Sequence, residues 1–161
     1  MSDSTQERAL IKAMTRHKHR VFRLAVSCLK NRADAEDILQ EVFIRYYSSA
    51  PEFADEEHEK AWLLRVTSNA CISLLRSPWR RFLNPIPASA PGHAEGQRLI
   101  ELVHRLPPKH ALVIHLHYYE DYSVKEIASI LRISEGTVKS RLARARKQLG
   151  ELIEKEEYLH G

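Results

Sequence analysis

Residues 84–96, NPIPASAPGHAEG, hold three prolines and two glycines among small side chains, and no other stretch limits the fold as much. Proline has no N–H to give a helix and clashes with the preceding turn, and the segment offers too little apolar surface to pack. It reads as a linker over residues 82–97, separating a domain at 1–81 from one at 98–161. With 161 residues, 43% hydrophobic and 29% charged, the chain has the makings of a soluble folded protein with a small core on each side.

On both sides apolar residues recur at three and four, with little of the alternation that marks strands. Leu10, Met14, Val21, Leu24 and Cys28 form one stripe, and Ile38, Leu39, Val42, Phe43 and Tyr46 a second. A third runs from about Glu59 through Trp62, Leu63, Val66, Ala70 and Leu74 to Arg76, ahead of Pro78. Trp62 reads as core at this spacing. The fold class is therefore all-α, two small helical domains. Helix starts are expected where a side-chain acceptor stands three residues before a first-turn N–H: Asp34 before Asp37, Ser123 before Glu126, Ser134 before Thr137. Beyond the linker a helix opens at Leu99, Leu102 and Val103 and stops at Leu106, and Pro108 suits the first turn of the next. Two short capped helices then follow, separated only by Arg132 and Ile133, which is the spacing of a helix-turn-helix.

Charge is spread unevenly. Residues 51–60 carry five acids and one base, whereas 132–149 carry six bases and one acid. No apolar run is long enough to span a bilayer and the first ten residues are not leader-like, so a cytoplasmic protein without membrane insertion is expected. Cys28 and Cys71, in apolar-periodic stretches and without C-x-x-C spacing, read as buried thiols. The nine histidines include no H-x-x-x-H pair. His17 with His19 and His115 with His117 are two apart, on different sides of a helix, so no metal or other cofactor is expected. Neither a phosphate loop nor a nucleophile elbow is present, and enzymatic chemistry has no evident seat.

On a helical wheel Val138, Leu142, Ala145 and Leu149 share one side, suited to pack on Ile127, Ala128 and Leu131 of the helix before. Lys139, Ser140, Ala143, Arg144 and Lys147 take the other side, flanked by Arg141 and Arg146. Small residues at the centre and cations at the rim suit the major groove, where arginines reach base edges or phosphates. Ser134 and Thr137 add the positive helix terminus, which favours a phosphate. An ordinary solvated face would intersperse acids at i, i+4, and none stands between Lys139 and Lys147.

The segment LPPKHALVIHLHYYEDYSVKEIASILRISEGTVKSRLARARKQL resembles region 4 of the extracytoplasmic-function (ECF) sigma factors, and RADAEDILQEVFIRYY followed by KAWLLRVTSNACISLLR resembles region 2 of the same family. The resemblance implies a non-enzymatic, dissociable subunit of bacterial RNA polymerase that directs it to promoters. It implies docking on the β′ clamp helices through Asp34, Asp37, Gln40, Glu41 and Arg45, with the β flap as a further contact. It also implies −10 recognition and melting by Asn69, Ser73, Arg76, Arg80 and Arg81, and −35 recognition by the basic helix. Residues 51–60 correspond to the loop around the extruded base, although their acidity is unusual beside DNA. The linker would thread toward the RNA exit path. An anti-sigma factor is the expected regulator, one that could hold the protein at the membrane, away from the nucleoid.

The chain departs from the family pattern at Ser68 and Ser73, where an arginine and an aspartate are common, and at Arg132, where glycine or asparagine often makes the turn. A stand-alone helix-turn-helix regulator would share the basic helix. It would bind duplex DNA as a dimer without polymerase, which separates the two readings. A metalloenzyme built on the histidine-rich helices would carry stoichiometric metal.

Overall fold

The computed structural model describes residues 3–77 and 101–160, with side chains through residue 155. Arg80, Arg81 and the linker at 82–97 lie outside the described residues. Every regular element among those described is helical, and the chain separates into two compact units, Met1–Pro87 and Ala88–Gly161.

The N-terminal unit packs three helices: α1 (Asp3–Leu29), α2 (Arg32–Ser49) and α3 (Glu56–Arg76). Each touches the other two. Val21, Leu24 and Cys28 of α1 are fully buried, as are Val42 of α2 and Leu63, Leu64 and Cys71 of α3, so the three stripes meet in one core. The cap of α2 corrects the sequence expectation. Asn31, not Asp34, is the N-cap, and its side chain accepts from the Asp34 N–H at 3.2 Å. The acceptor three residues ahead lay one helical turn earlier, and Asp34 itself occupies the first turn, where an acid suits the helix dipole. The α2 helix ends at Ala50, held left-handed at φ 44° by a hydrogen bond from its N–H to the Tyr46 carbonyl.

Helix α3 also begins a turn earlier than the periodicity predicts, because Asp55 caps it by accepting from the His58 N–H at 2.8 Å. Much of the acidic stretch at 51–60 is thereby given a structural role. Glu56 and Glu57 sit in the positive first turn, and Glu59 is buried.

In the C-terminal unit residues 101–104 are helical, and tight turns bring Leu106 into the core. Helix α4 (Pro108–Ile114) starts on Pro108, as expected, and continues as a π-helical turn over His115–Tyr119. Then come α5 (Val124–Leu131) and α6 (Glu135–His160), and both α4 and α5 pack on α6. The Ser123–Glu126 capping box is complete: Glu126 N–H donates to the Ser123 hydroxyl at 3.1 Å, and Ser123 N–H donates to the Glu126 carboxylate at 3.0 Å. Ser134 caps α6 by accepting from the Thr137 N–H at 3.0 Å. The turn between α5 and α6 is made by Arg132 at φ 56°, ψ 47°. A non-glycine residue in this left-handed region costs about 1 kcal/mol.

Candidate functional site

The α6 helix turns Val138, Leu142 and Ala145 fully inward, against a neighbour whose Ile127 is also fully buried and whose Ala128 is 8% exposed. The alanine lets the two helices approach closely. Leu149, the expected fourth member of the seam, is only half-buried. With the seam on the protein, Lys139, Ser140, Ala143, Arg144, Arg146 and Lys147 are left exposed, Arg141 is half-buried at one edge, and Ser134 with Thr137 stands at the terminus. Arg146 is held on the other edge. Its Nε–H donates to the Tyr118 hydroxyl, and its guanidinium lies 5.5 Å from the Tyr118 ring centre. His110 joins α4 to α6 by donating from Nδ1 to the Gln148 side-chain Oε1 at 2.7 Å. These contacts make a convex helix with cations on both rims and small residues between them, a shape suited to a nucleic-acid groove.

In α3, Asn69, Ser73 and Arg76 are all exposed and fall on one face, as their spacing of four and three requires. Ser68 does not join them. It is buried and its hydroxyl donates to the Leu64 carbonyl at 2.8 Å, and Thr67 does the same to Leu63 at 2.6 Å. Trp62 is half-buried and packs edge-on against Tyr46 and Phe53, with ring centres at 5.8 and 5.9 Å, so it belongs to an aromatic cluster over the core.

Beneath that cluster lies a polar centre that sequence patterning missed. The Tyr46 hydroxyl donates to Glu59 Oε2 at 2.9 Å, His17 Nε2 donates to Glu59 Oε1 at 3.1 Å, and Arg16 lies 3.8 Å from the same oxygen. Arg20 donates to His17 Nδ1 at 2.9 Å. An arginine on one ring nitrogen and a carboxylate on the other fix the neutral, Nε2-protonated imidazole. Burial is the main cause that lowers the His17 pKa, with Glu59 opposing and Arg20 adding to it. Burial, followed by the Glu59 hydrogen bond, pushes the Tyr46 phenol well up. The hydrogen bonds to Glu59 join residues 13 and 42 positions apart, beyond any local pattern. Among the described histidines His17, His58, His110 and His117 thus carry hydrogen bonds within the fold.

On α2, Asp37, Gln40 and Arg45 are exposed and Asp34 and Glu41 half-buried. Glu41 and Arg45 pair with each other at 2.9 Å, a surface i, i+4 contact that partly neutralises both. The apolar stripe of α2 is closed at Ile38, Val42, Phe43 and Tyr46, which are all buried, and partly open at Leu39. Leu39 and Phe43, placed in that stripe, line an open groove of about 670 Å³ together with Ile44, Tyr47, Leu10 and Met14, and with Glu7, Lys18 and Gln40 as its polar members. Ile44 is 64% exposed and Ile11, on neighbouring α1, 62%. A signal was present: apolar residues at 38, 39, 42, 43, 44, 46 and 47 cover more of the helix than one buried stripe needs.

Comparison with known proteins agrees with this division. Residues 13–81 match the model described as Sigma-70 region 2, and residues 96–149 match Sigma-70, region 4. The RNA polymerase sigma factor SigV of Bacillus subtilis is 30% identical over 159 residues, covering 95% of this chain and 96% of that one. The ECF RNA polymerase sigma factor SigM of Mycobacterium tuberculosis is 31% identical over 144 residues, covering 86% and 74%. The fold is similar to that of the sigma factor RpoE of Bartonella quintana, solved with the anti-sigma factor NepR: TM-score 0.75 at 23% identity, over 89% of this chain and 95% of that one. With described residues that are helical in both units, a helix-turn-helix in the second and relatives covered over 74% to 96% of their length, the chain belongs to the ECF family of RNA polymerase sigma factors, alternative sigma factors that direct transcription initiation.

Proposed function

We propose that α6 lies in the major groove of the −35 element, with Lys139, Ser140, Ala143 and Arg144 toward the bases and Arg141, Arg146 and Lys147 on phosphates. The observation that carries this reading is the orientation of α6: its apolar seam is buried, which leaves the unbroken run of cations outside. Asn69, Ser73 and Arg76 of α3, with Arg80 and Arg81 beyond, engage the −10 element, where an extruded base and single-stranded phosphates call for a polar side chain beside cations. The α2 face around Asp34, Asp37, Gln40, Glu41 and Arg45, extended by the apolar groove beside it, docks on the β′ clamp helices of core polymerase, and the β flap is a contact of the C-terminal unit. The protein acts by binding and not by catalysis, in the cytoplasm.

An anti-sigma factor is proposed as the regulator, supported by the similarity to RpoE of Bartonella quintana, which was solved with one bound. Such a partner would cover the polymerase and DNA faces together.

Run-off transcription with core polymerase, with and without this chain, over a library of genomic promoters is the direct test. Promoter-specific transcripts that appear only with the chain support the reading. Specific duplex binding by a dimer of the chain alone would favour a stand-alone regulator. Within the assay, Arg144→Ala is expected to cost about 1–3 kcal/mol at the −35 element while leaving polymerase binding intact; unaltered promoter use would remove Arg144 from base recognition.

A further inference from the structure

Tyr118 stands 55% exposed on the π-helical turn that follows α4, at the edge of the proposed DNA-binding helix. An exposed tyrosine needs no partner, yet this one meets Arg146 in two ways. Its hydroxyl accepts from Arg146 Nε–H and its ring underlies the same guanidinium, 5.5 Å from the ring centre. The tyrosine is itself held. The His117 ring meets it edge-on at 4.8 Å and 84°, and His117 Nδ1 donates to the Tyr122 carbonyl at 2.8 Å. The π-helical turn over His115–Tyr119 carries this pair at its end. Among the described residues no carboxylate forms an ion pair with Arg146, so the support comes from a neutral group and leaves the charge uncompensated.

We propose that Tyr118 is a positioning residue that holds Arg146 ready for a backbone phosphate of the −35 duplex. This rests on the reading that α6 lies on DNA. On the α6 wheel Arg146 falls close to the buried seam, on the rim opposite Arg141 and two turns further along the helix than Lys139, where a groove wall and not a base edge would lie. The Tyr118 contact uses Nε–H, and the terminal nitrogens still offer four N–H groups, enough for a bidentate phosphate. A flexible arginine loses rotamer freedom when it binds, and one already clamped against a ring loses less.

The test uses the full chain assembled with core polymerase, binding a promoter fragment across a range of salt concentrations. Tyr118→Phe keeps the ring and removes the acceptor; Tyr118→Ala removes both. Arg146→Ala is expected to weaken binding for every −35 sequence alike and to reduce the salt slope by about one. Tyr118→Phe should weaken it about three- to tenfold, Tyr118→Ala more, and neither should weaken it further once Arg146 is alanine. A loss from Tyr118→Phe that persists in the Arg146→Ala background overturns the proposal, because Tyr118 would then act by another route. No loss from Tyr118→Phe or Tyr118→Ala overturns it as well. If Arg146→Ala is silent while Arg144→Ala still weakens promoter binding, the proposal falls and the DNA reading of α6 stands. If both arginines are silent, that reading falls too.

Discussion

In the N-terminal unit a carboxylate, Glu59, is buried between three helices while α2 leaves the apolar Ile44 exposed among its polar residues; in the C-terminal unit the side of α6 turned inward is apolar and its cations stand outside. The two arrangements place charge in opposite positions, and each suits its task. A buried carboxylate with donors from α1 and α2 admits few alternative packings, because any slip leaves donors unpaired. The outer surface of that unit is thereby left free to carry apolar groups for a protein partner. On α6 an apolar seam fixes the helix well enough, and the charges are kept for a polyanion.

Removing the buried charge should break this contrast most severely. Glu59→Ala strands the Tyr46 hydroxyl and the His17 N–H, and is expected to cost the N-terminal unit about 2–4 kcal/mol by denaturant unfolding. A loss confined to a few tenths would show that the polar centre does not hold the three helices together. The apolar face can be probed with Ile44→Glu. Since Ile44 is 64% exposed, folding should be unchanged, while affinity for core polymerase should fall about tenfold or more. Equal affinity would place the docking surface elsewhere.

Acid sharpens the comparison further. The pKa of His17 is lowered from 6.5 in the fold, so below pH 6.5 the unfolded chain takes up a proton that the folded one resists. The contribution is fully present above that pH and is lost as pH falls toward the folded value. Unfolding followed by near-ultraviolet signals of Trp62 should show stability declining from pH 7 toward 5. His17→Gln should flatten that slope, and an unchanged slope would assign it to other groups. The smallest effect is expected at the α5–α6 turn, where Arg132→Gly should stabilise by about 0.5–1 kcal/mol by relieving a left-handed side chain; destabilisation would mean that the arginine side chain contributes more than its backbone costs.

The sequence revealed most where signals were local. Ser123 and Ser134 cap their helices from three residues away, and the seam Val138, Leu142 and Ala145 needed only the helical period. Ala128 opposite it was legible for the same reason. Asp34 and Asp37 misled because the same three-residue spacing already fits between Asn31 and Asp34. Glu59 could not be read correctly, since its acceptor role depends on His17, 42 residues away; in sequence it was one more acid in a charged run. Leu39 failed differently. Periodicity gives the direction of an apolar side chain but does not say whether the neighbouring helix closes over it, and here α1 leaves Leu39 half-buried along a groove.

The π-helical turn at His115–Tyr119 has a further consequence for the spacing of the chain. A π turn holds one residue more than an α-helical turn can use, and this one closes the helix begun at Pro108. Deleting a residue there, alone among the helices of this unit, would leave a more regular helix, and α4 should still reach α5. What would change is the aim: each side chain on the far end of the turn would swing by about 100° around the axis, taking the tyrosine away from Arg146. Tolerance of the fold to deletion and tolerance of DNA binding should therefore come apart at this one turn.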